Sequence, residues 1–421
     1  MSCDLISLPL SDIAKFKYGK TIRKQDIEDE GQFPVHSGYT TVGYLSNYMY
    51  EEPQLMIVCR GAGGTGDIKM SPPKVSITNL AIVITCDESK VCKDYLYWVL
   101  KLADTYSLRT GSAQPQITIN SLDSFNVVIH RDLSTQRTIA DFLNKLNSKI
   151  GVNTETNQTL EQMAQAIFKS WFVDFDPVKA KMNGQLPEGM DEATASLFPD
   201  KLVESELGLI PEGWSASKLE DLVDIASSKR VFAKEYLDEG VPFYRGKEIT
   251  ELSKGNSVTP EIYISEERYQ ELKDKAGAPK ENDILITSVG TIGNTYLVDS
   301  EDKFYFKDGN LTWVKDYKEE IIPYFLMEWF KSSVGKSAIE NIKIGSTQQA
   351  ITIKSLNGIK LVSPSYAVHE KFTQIVEPLY KKHRANIKQN KALSTLRDTL
   401  LPKLLSGEIE LGQAQELAEV E

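Results

Sequence analysis

Cysteine is scarce in this chain, and its placement argues against two chemistries. The four cysteines, Cys3, Cys59, Cys86 and Cys92, all fall in the first quarter of 421 residues without any CxxC spacing. That pattern indicates neither a zinc site nor a disulfide framework. Long apolar runs are also missing. No stretch approaches about 18 apolar residues, and the start MSCDLISLPLSDI lacks the charged-then-apolar order of a secretory signal. A soluble, cytoplasmic protein with no membrane partner is expected. Catalytic signatures are equally sparse: HExxH, GxSxG and cysteine–histidine clusters do not occur, and the four histidines are scattered. VGKSA at 334–338 resembles the end of a phosphate loop, but the required first glycine position holds Phe330. The Asn/Asp-Pro-Pro-aromatic tetrad of amino methyltransferases is absent as well.

Positive charge is lacking overall, since the net charge is −11. The deficit is local. Residues 186–224 hold ten acids against two bases, and residues 408–421 hold five acids and no base. Those two segments account for −13, so the remaining chain carries about +2 and a local basic face remains open to it.

One stretch invites an enzymatic reading. In LMIVCRGAGGTGDIKMSPP (55–73), Gly61, Gly63 and Gly66 fit GxGxxG behind an apolar run. A dinucleotide fingerprint needs a helix to start there, so that its N-terminus meets the pyrophosphate. Here Pro72 and Pro73 follow instead. Asp87 stands about 20 residues beyond Gly66, where a ribose-binding acid is expected, but it belongs to a motif that lacks its helix.

The chain is duplicated, and the duplication supplies an internal control. GSAQPQITINSLDSFNVVIH (111–130) aligns without a gap on GSTQQAITIKSLNGIKLVSP (345–364). The similarity continues behind each copy, with a one-residue slip, and reaches upstream weakly: PLSDIAKF resembles KLEDLVDI, and FPVHSG resembles VPFYRG. The counterpart of the glycine stretch is DILITSVGTIGNTYLV (283–298), where Gly290 and Gly293 match Gly63 and Gly66 and nothing matches the leading glycine. What the copies share is GxxG followed by strand-like sequence, which predicts a hairpin with glycines at positive φ rather than a nucleotide cradle.

Behind each globular part lies a heptad seam. Leu143, Leu146, Ile150, Asn153, Asn157, Leu160, Ala164, Ile167 and Trp171 recur at three- and four-residue steps. Val376, Leu379, His383, Asn386, Asn390, Leu393, Arg397, Leu400 and Leu404 repeat the spacing. Each seam predicts a helix of about 40 residues, about 60 Å long. Neither helix can bury its seam alone, so the two are expected to pair; an antiparallel pair puts the globular parts at opposite ends, a parallel pair brings them together. Asn153, Asn157, Asn386 and Asn390 occupy equivalent seam positions, which assigns them to fixing register.

With repeat, helices and linker in view, the sequence resembles the DNA-specificity subunit of Type I restriction-modification enzymes. The likeness covers essentially the whole chain. It is carried by the recurrent GSxQxxITIxSL, the helix end AIFKSWFVDFDPV, the linker text LFPDKLVESELGLIPEGW and the closing TLLPKLLSGEIEL. The expected fold class is α+β: two similar globular target-recognition domains separated by two long helices that form an antiparallel coiled coil, with a pseudo-twofold internal repeat. The expected division is a first recognition domain at 1–132, a helical region at 133–175, a linker at 176–213, a second recognition domain at 214–365, a second helical region at 366–407 and an acidic tail at 408–421.

The resemblance implies a non-catalytic subunit whose two domains each read half of a split, asymmetric site in double-stranded DNA, while the helices set the gap. Two modification subunits, which bind S-adenosylmethionine and methylate adenine N6, and two ATP- and Mg-dependent motor-nuclease subunits are the implied partners. No cofactor is expected on this chain itself. A two-headed coiled-coil scaffold without DNA is the alternative. Base-reading side chains are typically Arg, Lys, Asn and Gln. The candidates are Lys17, Lys20, Arg23, Lys24 and Arg60 in the first domain and Lys229, Arg230, Lys234, Arg245 and Lys247 in the second. Gly111, Gln114, Gly345 and Gln348 recur in domains that should read different bases. A role common to both copies is therefore expected of them, whether holding the loop, meeting phosphate or touching a partner subunit.

Overall fold

Short apolar runs broken by Gly, Pro, Asn and Asp cannot build long strands, and the globular parts are accordingly made of strands of two to six residues. The structure, a computed structural model, describes residues 4–61, 64–111, 114–318, 322–346 and 348–414. Cys3, Gly63 and the last residues of the acidic tail lie outside them. The chain divides into two compact units, Met1–Gly151 with Asn390–Glu421, and Val152–Gln389.

Unit 1 contains β1 (Leu5–Pro9), β2 (Ala14–Tyr18), β3 (Phe33–His36), β4 (Thr41–Leu45), β5 (Leu55–Val58), β6 (Ile68–Met70), β7 (Ser76–Ile77), β8 (Ala81–Cys86) and β9 (Asn126–His130). They pair as β1-β9, as a four-stranded sheet β2-β8-β5-β6 and as a three-stranded sheet β4-β3-β7. Every residue of β5 is fully buried, which is why LMIV carries no polar alternation.

The first strands of unit 2 form a linker hairpin, β10 (Leu202–Ser205) and β11 (Gly208–Pro211). There follow β12 (Ser215–Lys218), β13 (Asp224–Ala226), β14 (Val241–Tyr244), β15 (Tyr263–Ile264), β16 (Ile284–Thr287), β17 (Thr295–Leu297), β18 (Tyr305–Phe306), β19 (Leu311–Lys315) and β20 (Lys360–Ser363). Their pairing is β12-β20, β13-β19-β16-β17 and β15-β14-β18. Strand for strand this is the order of unit 1, down to a parallel pair inside the three-stranded sheet, β3 with β7 and β14 with β18. The repeat that is faint upstream in the sequence is complete in the topology.

The seams produce helices Leu133–Phe172 and Tyr366–Ser406, of 40 and 41 residues. No seam residue is exposed. Each unit takes one end of each helix. In unit 1 Ile139, Ala140 and Leu143 pack with Leu400, Leu401 and Leu404 on the core under the sheet. In unit 2 Ala164, Phe168 and Phe172 pack with Val368, Phe372 and Val376. Within each unit the helices run antiparallel, because residues late in one meet residues early in the other. The expected α+β class with two similar globular domains and an antiparallel helix pair is what the structure has.

AIFKSWFVDF and the linker's EGW owe their aromatic content to this core. Phe168, Trp171 and Phe172 meet Phe372 with ring centroids 5.0 to 6.0 Å apart, and Trp214 reaches Phe172 at 5.8 Å. Burying one such ring contributes about 1.5–3 kcal/mol. No helix among the described residues is long and apolar enough to cross a membrane. Cys59 is buried, Cys86 and Cys92 are half-buried, all three are free, and burial pushes the Cys86 thiol up to about 12.

Candidate nucleic-acid interface

The basic candidates cluster on one connection in each unit. Lys20, Arg23 and Lys24 lie between β2 and β3, and Lys229, Arg230 and Lys234 lie between β13 and β14, the equivalent connection. All six are exposed. Both connections are held to the short strand of the three-stranded sheet. Lys20 donates its backbone N–H to Ile77 at 2.9 Å, and a Cβ on Gly19 would stand 2.1 Å from the Thr78 carbonyl oxygen. In unit 2 Ser228 Oγ donates to the Phe306 carbonyl at 2.7 Å and the Lys229 N–H donates to Tyr305 Oη at 3.0 Å. Lys17 projects from β2 beside this connection and is also exposed. Lys17, Lys20, Arg23 and Lys24 make no ion pair among the described residues, whereas Arg230 Nε sits 3.0 Å from Asp308.

Arg245 and Lys247 are placed differently. Arg245 Nη2 reaches Glu248 at 2.8 Å and Glu261 at 2.7 Å, and Lys247 also pairs with Glu261. Glu248 is buried, which alone would raise its pKa, yet hydrogen bonds from Arg245 leave it lowered. The Lys247 and Arg245 hydrogen bonds hold Glu261 down to about 2. These two bases are occupied by carboxylates of the same unit, and Arg245 with Glu248 forms a capping box on the helix Gly246–Leu252.

The glycine stretches are hairpin turns in both units, joining β5 to β6 and β16 to β17. Backbone pairing corrects the alignment of their glycines. Val58 N–H donates to Asp67 and Gly66 N–H to Val58, just as Thr287 donates to Asn294 and Gly293 to Thr287, so Gly66 and Gly293 correspond. On the other side, Ile117 N–H donates to Cys59 and Ile351 N–H to Ser288, which aligns Gly61 with Gly290. Gly61, the leading glycine, thus has a partner after all; the turn of unit 1 is two residues longer. All four glycines have positive φ. A gapless comparison could not find this, because the insertion lies inside the motif.

In unit 1 side chains that sequence reasoning missed brace this longer turn. Tyr39 lies beneath it, where a Cβ on Gly61 would come within 2.5 Å of its Oη, and Tyr39 donates to the Arg60 carbonyl at 3.2 Å. Thr105 Oγ1 donates to the Gly66 carbonyl at 2.7 Å, and Arg109 Nε donates to the Thr65 carbonyl at 2.5 Å. The guanidinium of Arg109 stacks 4.3 Å from the Tyr106 ring, and that of Arg60 lies 5.7 Å from the Tyr18 ring. The available signal was DTYSLRT, an aromatic and a base directly before the recurrent loop.

The recurrent loops close in the same way. Thr110 and Gln116 exchange backbone hydrogen bonds of 2.8 and 2.9 Å, and Ile344 and Ala350 exchange two of 2.9 Å. Gly111 and Gly345 turn the chain with φ of 88° and 94°. Ile117 and Ile351 are buried, and Thr118 with Ser121 and Thr352 with Ser355 form capping boxes on short helices. Most of GSxQxxITIxSL therefore recurs for local structure. The exceptions are Gln114 and Gln348, whose side chains are exposed at equivalent places.

The seam asparagines are bonded. Asn386 Nδ2 donates to Asn157 Oδ1 at 2.8 Å, Asn157 Nδ2 to the His383 carbonyl at 3.2 Å, and Asn153 Nδ2 to Gln389 Oε1 at 2.8 Å. In unit 1 Asn390 Nδ2 donates to the Ile150 carbonyl at 3.3 Å. Asn157 to His383 and Asn390 to Ile150 join positions that the repeat makes equivalent. The repeat thus extends to single hydrogen bonds within each unit.

Comparison with known proteins agrees with this architecture. The family model described as the Type I restriction modification DNA specificity domain matches twice, over residues 7–162 and 211–394. The HindI specificity subunit of Haemophilus influenzae is 29% identical over 335 residues, covering 70% of this chain and 71% of that protein. The EcoBI specificity subunit of Escherichia coli is 24% identical over 403 residues, covering 92% and 79%. Among solved structures, the Type I S subunit from M. genitalium superposes over 96% of both chains with a TM-score of 0.63 at 17% identity, a likeness of fold. The duplicated domains, the paired helices and the double family match place the chain in the family of DNA specificity subunits of Type I restriction-modification systems.

Proposed function

We propose that the globular domains of units 1 and 2 each read one half of a bipartite, asymmetric site in double-stranded DNA, and that the helix pair fixes the unread gap between halves. The observation that carries this reading is the identity of strand order in two domains whose exposed side chains differ. A common frame with divergent surfaces is what two different half-sites require. The basic connections at 20–24 and 229–234 supply phosphate contact, which sets affinity and orientation without reading sequence. Gln114 and Gln348, alike in both domains, meet a feature common to both halves: phosphate or an equivalent modification subunit. Two modification subunits dock on the two units, carry S-adenosylmethionine and methylate adenine. Two motor-nuclease subunits, with ATP and Mg, join through them, and the assembly works in the cytoplasm. This chain contributes recognition and spacing rather than catalysis.

The test is selection from random DNA pools by the chain reconstituted with its modification subunits. Enrichment of a split motif with one gap length is expected. Binding to the modification subunits without any enriched motif would favour a scaffold instead.

A further inference from the structure

The two units share a backbone but not the chemistry at the hairpin turn. Arg60 and Arg109 of unit 1 flank the turn, both are exposed, and neither guanidinium makes an ion pair among the described residues. The backbone pairing that aligns the turns puts Val289 where unit 1 has Arg60. The pairing that aligns the recurrent loops puts Lys343 where unit 1 has Arg109, and Lys343 is 2.5 Å from Glu340 with its side chain 17% exposed. Unit 2 therefore presents no free cation at either place.

The geometry points to Arg109, with Arg60 beside it, as a guanine-reading pair, so that the half-site read by unit 1 contains a G·C pair at this turn and the half-site read by unit 2 does not at the corresponding place. This inference rests on the recognition function proposed above. Three features favour base reading over a loose phosphate contact. Arg109 spends Nε on the Thr65 carbonyl, which orients the guanidinium and leaves both terminal nitrogens for a bidentate acceptor such as guanine O6 and N7. Stacking on Tyr106 fixes the guanidinium plane, and Tyr106 is itself hydrogen-bonded to Asp67. The turn carrying the pair is braced by Tyr39 below and by buried Thr65, whose Oγ1 donates to the Gly61 carbonyl at 3.1 Å. These contacts hold the Arg109 guanidinium in place before DNA is bound.

The experiment uses the reconstituted methyltransferase complex with Arg109→Ala, Arg109→Lys and Arg60→Ala, read by selection from random DNA and by the salt dependence of binding. The expected result is loss of about tenfold or more in preference for one G·C pair, confined to one half-site, with no recovery in Arg109→Lys. Uniform weakening on all sequences with recovery in Arg109→Lys would overturn the inference, because that is the behaviour of a phosphate contact. Unchanged preference in all three variants would overturn it too. If the parent complex enriches no split motif, the recognition function itself fails; a split motif indifferent to these arginines sinks this inference alone.

Discussion

His369 shows how far a single residue can be read. It sits where Gln136 stands in the first long helix, and that glutamine is satisfied: Nε2 donates to the His130 carbonyl at 2.7 Å and Oε1 accepts from the Cys92 N–H at 2.8 Å. His369 is 1% exposed, neither ring nitrogen has a hydrogen-bond partner among the described residues, and burial pushes its pKa down to about 4. Between pH 6.5 and 4 the unfolded chain binds the proton that the folded one refuses. Stability from this group is therefore present at neutral pH and falls with pH, by roughly 3 kcal/mol at full extent. Asp283, raised to about 6 by burial, has the opposite slope, so the informative quantity is a difference between variant and parent. His369→Gln should melt higher than the parent at about pH 4.5, with a smaller gap at about pH 7.5; an equal gap at both values would show that protonation is not the cause. Arg245 carries a second residue-scale prediction. Its loss leaves the buried Glu248 carboxylate unpaired, so Arg245→Ala should lower stability by about 3 kcal/mol in thermal unfolding while leaving the enriched DNA motif unchanged. Sequence alone placed Arg245 among basic side chains available to DNA. Burial of Glu248 is what binds it elsewhere, and burial is not written in a residue type.

Elements were legible where their chemistry is local. The seams predicted both long helices because heptad spacing is a property of consecutive residues. The paired turns were legible only in part, since the two extra residues in unit 1 emerge once ladder partners are known. The asparagine pair carries a prediction at this scale. Asn386→Ala leaves the Asn157 carbonyl oxygen buried without its donor and should cost about 1–3 kcal/mol in chemical unfolding. Asn157→Leu with Asn386→Leu removes both polar groups and should match or exceed the parent in stability, yet accept more than one gap length in DNA selection. A double variant as destabilised as Asn386→Ala would contradict this account. Gly19→Ala should also destabilise unit 1 by about 1–3 kcal/mol, because the new Cβ meets backbone and not a movable side chain.

At the scale of the whole molecule, the test of the ruler is an insertion of about four residues, a little over one turn, in one long helix. The gap accepted in DNA should lengthen or binding should be lost, with both half-sites unchanged. Altered base preference at constant gap would rule the ruler out. By itself the sequence determined the duplication, the helices, the family and the shared motif, because these rest on spacing and on residue types that local backbone geometry demands. Only the tertiary structure decided which cations are free and which are spent, that Gly61 corresponds to Gly290, and that each compact unit takes one end of both helices. Those outcomes depend on which distant residues meet: Arg245 with Glu261, Arg109 with Thr65, Leu143 with Leu400 under one sheet. Such meetings are settled by packing, which no local pattern encodes.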